Sequence, residues 1–176
     1  MLHLFQNRFM NTAYLLIGSN QGDRESYLRK AVELVSRQIG KIEQISSVYE
    51  TAAWGKIEQP DYLNQAVRVN TYLKTGELLK AILAIEVNMG RIRRKIWEPR
   101  IIDIDILFYN KDIINEEHLH IPHAHLQERR FVLVPLAEID PEFIHPILNL
   151  PISELLEACQ DTLQVKKYSP VPVRYL

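Results

Sequence analysis

The spacing of apolar residues in the first part of the chain switches between the period of a strand and that of a helix. A first strand is predicted from Thr12 to Ile17, and a Gly-Ser-Asn-Gln-Gly-Asp turn ends it. Helical spacing then predicts an amphipathic helix of about four turns, with Gly40 as its C-terminal cap. Its apolar face consists of Leu28, Ala31, Val32, Val35 and Ile39.

Two strands are predicted next. A β-prone run covers Lys41 to Thr51, and apolar and polar residues alternate from Leu63 to Leu73 after a loop. Because strand side chains alternate between the two faces, Tyr62 and Asn64 are expected to point in the same direction.

A second helix and a further strand follow. Thr75 is predicted to cap this helix and Gly90 to end it. Beyond a basic loop comes a strand that is apolar on both faces, which predicts that it is buried. One face is expected to carry Ile102, Ile104, Ile106 and Phe108, and the other Ile101, Asp103, Asp105, Leu107 and Tyr109.

This order of elements indicates an α+β fold with a ferredoxin-like βαββαβ core. We expect a mainly antiparallel sheet with helices packed on one face and the other face available for ligands. Residues 1–176 are predicted to form a single domain, with an N-terminal extension over 1–12, a core over 13–150 and a C-terminal helix and tail over 151–176. The later elements predicted are a proline-interrupted helix from Arg129 to Ile139, a short helix from Ser153 to Cys159, and a strand or tail after Thr162.

Charge and cysteine content exclude several classes of function. With 21 Lys plus Arg against 22 Asp plus Glu, the net charge of -1 gives no global attraction for nucleic acid or an anionic membrane. The single Cys159 excludes an internal disulfide framework and a cysteine-rich zinc site. No apolar run approaches the roughly 20 residues that span a bilayer. We therefore expect a cytoplasmic protein without a nucleic-acid or membrane partner. A monomer is the expected oligomeric state, which these features do not determine.

Asp103 and Asp105 carry the strongest chemical signal. Their Cα atoms should lie roughly 6.5 to 7 Å apart on one strand face, so they could share divalent cations. Mg²⁺ usually binds through one or two carboxylates together with phosphate oxygens, and the neighbouring basic residues could hold that phosphate. These residues are Arg91, Arg93, Arg94, Lys95 and Arg100. The alternative is a solvated strand face, although buried carboxylates are rarely tolerated without a metal or a charged partner.

Other polar and aromatic residues leave alternatives open. Glu86 lies where the helix dipole disfavours an anion, so it is either solvated or compensated by a nearby arginine. Tyr62 and Phe131 are either core aromatics or stack on a flat heterocycle. His123 could donate a hydrogen bond to phosphate or, if protonated, supply charge. Without a carboxylate or cysteine to complete a metal site, separate polar roles are favoured for His118, His120, His123 and His125.

Six separated motifs lie between about Ala13 and Leu150. They are Tyr14-Leu-Leu-Ile-Gly-Ser-Asn20, Ser47-Val-Tyr-Glu-Thr51, Gln59-Pro-Asp-Tyr-Leu-Asn64, Gly90-Arg91, Pro99-Arg-Ile-Ile-Asp-Ile-Asp-Ile-Leu107 and Ile121-Pro-His123. In their order and spacing these motifs resemble those of 6-hydroxymethyl-7,8-dihydropterin pyrophosphokinases of folate synthesis. The sequence carries no phosphate-binding loop, dinucleotide fingerprint or nucleophile elbow that would suggest other families.

The resemblance implies an α+β enzyme that transfers pyrophosphate from ATP to the pterin hydroxymethyl group and releases AMP. It implies that Asp103 and Asp105 bind two Mg²⁺ ions and, with Arg91, Arg93 and Arg100, form the catalytic set. The implied ATP-binding residues are Glu86, Arg91, Arg93, Arg100, Ile106, His123 and Arg129. The implied pterin-binding residues are Thr51, Ala52, Trp54, Tyr62, Asn64, Trp97, Asp103 and Phe131.

The sequence departs from the family pattern near the site. Glu98 stands where a small residue is usual before Pro-Arg, and Ala124 where an aromatic residue is frequent. The competing hypothesis is a non-catalytic ferredoxin-like domain that binds a small ligand or RNA. Such a domain has no need for two carboxylates on its sheet face, since they would repel phosphates without a metal.

Overall fold

The structure, a computed structural model, describes residues 9–53, 59–91 and 100–169. Its strands are β1 (Asn11–Ser19), β2 (Gly40–Ile45), β3 (Tyr49–Thr51), β4 (Tyr62–Thr71), β5 (Asp103–Tyr109), β6 (Ile114–Glu116), β7 (Leu119–Ile121) and β8 (Val165–Lys167). Its α-helices are α1 (Arg24–Gln38), α2 (Thr75–Asn88), α3 (Arg130–Ile139) and α4 (Ile152–Ala158), and a 3₁₀ turn covers Leu126–Glu128.

The main sheet has the strand order β5-β1-β4-β3-β8, and β2 also pairs with β4. Each of these pairings is antiparallel. Strand β4 lies between β1 and β2, as expected for a split βαβ unit. The predicted ferredoxin-like βαββαβ order is therefore confirmed, and the β-prone run from Lys41 to Thr51 forms two strands instead of one.

Helices α1 and α2 cover one face of the sheet. Their predicted apolar residues, such as Leu28, Val35, Leu78 and Ile82, are buried together with the inward residues of β1, β4 and β5. The buried residues of α1 and α2 recur at helical spacing along the chain. The sequence alone was therefore sufficient to locate both helices.

The opposite face is not fully available for ligands, which corrects the expectation from sequence. Helices α3 and α4 pack on it, and Val132, Leu133 and Leu136 are buried in a second core with Leu16 and Phe108 of the sheet. An amphipathic helix must bury its apolar stripe, and this face was the remaining apolar surface of the sheet.

The predicted faces of β5 are wrong at its C-terminal end. The pairing with β1 shifts after Tyr14, which pairs with Phe108, whereas Leu15 pairs with Ile106. A β-bulge of this kind places two residues opposite one and reverses the faces beyond it. Phe108 therefore joins the second core, while Tyr109 joins the core under α1 and α2.

The two glycines predicted to end helices have different roles. Gly90 has a φ of +91° directly after the C-cap of α2, as predicted. Gly40 instead begins β2, where a Cβ atom would lie 2.0 Å from the Asn70 carbonyl oxygen, so close backbone contact requires glycine there. Thr75 is the first residue of α2 and does not cap it; Lys74 holds the N-cap position, and its N–H donates to Glu77 Oε2 at 2.8 Å.

The C-terminal part also forms the predicted short helix, as α4, and ends in β8 rather than in an irregular tail over its described length. Within the described ranges, no helix has both the length and the apolar character needed to cross a membrane.

Candidate active site

One cavity collects most of the residues that the sequence singled out. It has a volume of about 250 Å³ and lies on the α3 side of the sheet, at the end where β5 begins. Ten predicted site residues line it: Thr51, Ala52, Tyr62, Asn64, Arg100, Asp103, Asp105, His123, Arg129 and Phe131. Leu16, Gly18, Ala53 and Gln59 complete the lining and were not predicted.

The two aspartates form the negatively charged wall of this cavity. Burial, and then the charge of Asp103, raise the pKa of Asp105 to about 7, against the opposing effect of Arg100 and Arg129. Ionisation of both aspartates in this cavity is therefore costly unless further positive charge lies beside them. Divalent cations fit this donor set, since they take carboxylate oxygens and would relieve the repulsion. Among the described residues, no group of three or more His, Cys, Asp or Glu side chains could hold a metal. Phosphate and water oxygens are the ligands that Mg²⁺ usually adds to one or two carboxylates.

A network of charged side chains holds the Asp103 carboxylate in place. Arg91 Nη1 lies 2.6 Å from Asp103 Oδ1, and Arg100 pairs with Asp103 Oδ2. Arg91 also pairs with Glu86, whose side chain is only 2% exposed. Glu86 Oε1 further accepts the Ile104 N–H at 2.9 Å, between the two aspartates. The structure confirms the prediction that a nearby arginine compensates the charge of Glu86.

Three of the implied ATP-binding residues do not belong to the cavity wall. Glu86 and Arg91 lie behind Asp103, within the charged network. Ile106 packs into the core under α1 and α2, so its side chain faces the opposite side of the sheet.

The other end of the cavity is aromatic and amide-rich. Tyr62 and Asn64 point in the same direction from β4, as predicted, and Phe131 projects from the start of α3. Asn64 Nδ2 donates to Thr51 Oγ1 at 3.2 Å, which orients the amide. The Tyr62 hydroxyl donates to Gln59 Oε1 at 3.4 Å. This end can therefore receive a flat ring with a polar edge.

His123 and Arg129 stand between these two ends. Burial, followed by the charge of Arg129, lowers the pKa of His123 to about 4, so this histidine is neutral at pH 7. Its Nδ1 accepts the His125 N–H at 3.5 Å, which leaves the proton on Nε2. Of the two predicted roles for His123, hydrogen-bond donation is the one that the structure favours.

Asn20, which the sequence places in a turn and in one of the six motifs, also contributes to the site, although no role was predicted for it. It is fully buried, and its Oδ1 accepts the Arg100 N–H at 2.7 Å. Its Nδ2 donates to Gln59 Oε1 at 3.2 Å and to the Pro60 carbonyl at 3.3 Å. Asn20 thus joins two walls of the cavity. Its place at the end of the first motif was the available sequence signal, whereas its burial and its partners are seen only in the structure.

Gly18 also belongs to the cavity for a steric reason. It pairs with Asn64 across β1 and β4, and a Cβ atom there would lie 3.0 Å from Asn64 Oδ1. The glycine therefore leaves the space that the Asn64 amide occupies. Three implied site residues, Trp54, Arg93 and Trp97, and the departure at Glu98 lie outside the described residues.

A ferredoxin-like sheet with paired carboxylates, arginines and aromatic side chains around one cavity defines an enzyme of the phosphoryl-transfer class. The chain belongs to the 7,8-dihydro-6-hydroxymethylpterin-pyrophosphokinase family, whose model matches residues 14–141. Membership of this family makes it a pterin pyrophosphokinase of folate biosynthesis with ATP as co-substrate, as its motifs implied.

Curated relatives agree with this family. The chain is 46% identical over 145 residues to the 2-amino-4-hydroxy-6-hydroxymethyldihydropteridine pyrophosphokinase of Aquifex aeolicus, which covers 82% of this chain and 90% of the relative. It is 46% identical over 130 residues to the enzyme of the same name from Bacillus subtilis, covering 73% of this chain and 78% of the relative.

Solved structures confirm the fold. The HPPK-DHPS triple mutant of Plasmodium falciparum matches with a TM-score of 0.71 at 22% identity, covering 88% of this chain and 45% of that chain. The wild-type protein with STZ-DHP matches with a TM-score of 0.71 at 21% identity, covering 87% of this chain and 44% of that chain. This chain therefore spans less than half of each of those proteins, and the likeness concerns the fold alone.

Proposed function

We propose that the cavity is where a pyrophosphoryl group passes from ATP to the hydroxymethyl oxygen of 6-hydroxymethyl-7,8-dihydropterin, which leaves AMP. The observation that carries this proposal is the division of one cavity into an acidic, arginine-rich end and an aromatic, amide-rich end. A triphosphate fits the first chemistry and a pterin ring fits the second. Transfer requires both substrates to lie together, because positioning provides much of the catalysis of phosphoryl transfer.

The pterin would lie between Tyr62 and Phe131, whose rings offer apolar faces to a flat heterocycle. Thr51 already binds one N–H of the Asn64 amide. The Asn64 oxygen and its second N–H can then recognise the mixed donor and acceptor edge of the pterin. Backbone groups at Thr51 and Ala52 would complete the recognition of this edge.

The triphosphate would lie along Arg100, Arg129 and His123. Guanidinium groups form paired hydrogen bonds to phosphate oxygens, and a neutral His123 can donate one more through Nε2. Arg91 would join them once its pairing with Asp103 is exchanged for one with phosphate. Glu86 would then act on ATP through Arg91, and Ile106 through its backbone, since neither side chain lines the cavity.

Asp103 and Asp105 would hold two Mg²⁺ ions together with oxygens of the triphosphate. When bound, these ions would neutralise the charge on the phosphates and polarise the reacting oxygens. In the structure, Asp103 accepts hydrogen bonds from Arg91 and Arg100. A cation at Asp103 would compete with both pairings and leave two guanidinium groups for the phosphates.

We further propose that residues 13–150 form the catalytic core of a single domain that acts as a monomer in the cytoplasm. The near-zero net charge supports the absence of a nucleic-acid or membrane partner.

Aspartate variants test the proposed metal site. Asp103→Asn and Asp105→Asn preserve shape but remove a ligand charge, so AMP formation should fall by about 100-fold or more. Asp112→Asn, at an exposed position after β5, is the matched control and should keep wild-type turnover. Titration of Mg²⁺ into protein with a non-hydrolysable ATP analogue should give two ions per chain. Active aspartate variants would reject the metal assignment, and a single ion would reject the pair.

A further inference from the structure

The C-terminal segment, residues 159–169, contacts the cavity from outside the part of the chain that matches the family model. Strand β8 adds to the free edge of β3 and pairs Val165 with Thr51, a residue of the cavity lining. The Tyr168 N–H also donates to the Val48 carbonyl at 2.8 Å. One end of this segment therefore supports the β3 wall.

The other end of the segment supports α3. This helix has Arg129 at its N-cap position, and the Arg129 side chain makes no capping hydrogen bond. Asp161 supplies the missing acceptor, since its Oδ2 accepts the Arg130 N–H at 2.9 Å. Its Oδ1 accepts the Leu163 N–H at 3.0 Å, which fixes the carboxylate. A carboxylate at a helix N-terminus satisfies a free N–H and interacts favourably with the helix dipole.

A third contact ties the segment to the far end of α3. Glu138 Oε1 accepts from Lys167 Nζ at 3.3 Å and from Ser47 Oγ at 2.8 Å. Glu138 Oε2 accepts the Ser47 N–H at 2.7 Å. The segment, α3 and the linker between β2 and β3 are thus held together on one side of the cavity.

The residue that Asp161 caps lies between two residues of the cavity lining. Arg129 and Phe131 flank Arg130, and they would contact the triphosphate and the pterin respectively. Without the cap, the first turn of α3 is free to fray, and the backbone no longer fixes the positions of the Arg129 and Phe131 side chains. We propose that Asp161 is a positioning residue that sets Arg129 and Phe131 for the two substrates. This inference rests on the proposed roles of Arg129 and Phe131.

Steady-state kinetics of Asp161 variants test this proposal. Asp161→Ala should raise the KM for ATP and the KM for the pterin together, each by about three- to tenfold, because binding of either substrate would then have to order the turn that the cap orders in the wild type. Asp161→Asn retains one carbonyl oxygen and can replace only one of the two hydrogen bonds, so both KM values should rise less. In both variants, kcat should change by a smaller factor than either KM value.

Glu77→Ala is the matched control. Glu77 also accepts a backbone N–H at the start of a helix, that of the N-cap residue Lys74 of α2, at the end of the sheet that lies away from the cavity. This variant should lower the melting temperature by a similar amount and leave both KM values unchanged. Unchanged KM values in folded Asp161→Ala, or equal increases in Glu77→Ala, would overturn the proposal. If Asp161→Ala does not fold, unchanged KM values in Asp161→Asn would overturn it.

AMP formation by the wild-type protein distinguishes a failure of this proposal from a failure of the proposed function. Failure of the wild type to form AMP contradicts the function itself. Normal wild-type turnover together with unaffected Asp161 variants contradicts only the positioning role.

Discussion

Replacing Asn20 with alanine should damage both the stability and the activity of the enzyme. The substitution removes the acceptor of the Arg100 N–H, at 2.7 Å, and the donor to Gln59 Oε1 and the Pro60 carbonyl, at 3.2 and 3.3 Å. Asn20 is fully buried, so water does not readily replace these partners. The Arg100 N–H loses its acceptor at a cost of about 1 to 3 kcal/mol, while the costs are smaller at Gln59, which keeps the Tyr62 hydroxyl, and at exposed Pro60. We therefore expect the free energy of unfolding to fall by about 2 to 4 kcal/mol.

The loss of activity should exceed what the loss of stability explains. Arg100 lines the cavity and pairs with Asp103, while Gln59 accepts from the Tyr62 hydroxyl. Asn20 therefore fixes one residue at each end of the cavity. A displacement of about 1 Å at a reacting centre can cost about 100-fold, so kcat/KM should fall by about 10- to 100-fold in protein that is still folded.

Urea unfolding and AMP release, measured on the same preparations, would check both magnitudes. Asn70→Ala is the matched control, because Asn70 accepts a hydrogen bond from Thr12 Oγ1 at 3.1 Å at the other end of β4. It should lose some stability but keep wild-type kcat/KM. A folded Asn20→Ala enzyme with wild-type kcat/KM would refute the role of Asn20, and so would an equal loss in Asn70→Ala.

Two further predictions concern the pterin end of the cavity and the loop between α3 and α4. Gly18→Ala places a Cβ atom 3.0 Å from Asn64 Oδ1, so it should displace this amide and raise the KM for the pterin several-fold more than the KM for ATP. A rise confined to ATP would count against that placement. The pKa of His145 is lowered by burial, and the ring accepts the N–H groups of Ile147 and Leu148 through Nδ1, each at 3.2 Å. The unfolded chain therefore binds a proton below about pH 6.5 that the folded protein does not bind, so stability is complete above this pH and falls as the pH drops below it. Urea unfolding should show a flatter pH dependence for His145→Gln than for the wild type, whereas exposed His118→Gln should behave like the wild type; identical slopes in all three proteins would contradict the assignment.

Periodicity was sufficient to predict the sheet and the two helices of the ferredoxin-like core. The faces of β4 followed from simple alternation, and α1 and α2 from residues such as Leu28 and Ile82. Alternation failed at Phe108, since a bulge depends on how β5 pairs with β1 and leaves no periodic signal. The packing of α3 on the second sheet face was missed for a similar reason. An apolar stripe shows that a helix is buried, but not which surface covers it.

Some residues around the cavity could be identified from the sequence, and others only from the structure. Asp103, Asp105, Tyr62 and Asn64 were identifiable because local spacing places each pair on one strand face. The contribution of Asn20 depends on Arg100, which is remote in sequence, and no local pattern records that contact. Asp161 is similar, because it caps a helix that begins far earlier in the chain. Polar residues that act through distant backbone groups therefore needed the structure.

Transfer of a pyrophosphoryl group by this cavity, as opposed to a single phosphoryl group, leaves AMP and not ADP as the nucleotide product. The most direct test is to identify the nucleotide product after incubation of the purified protein with 6-hydroxymethyl-7,8-dihydropterin, ATP and Mg²⁺. We predict AMP and the pterin diphosphate in equal amounts, with formation that depends on both the pterin and Mg²⁺. Formation of ADP, or no turnover by the folded protein, would contradict it.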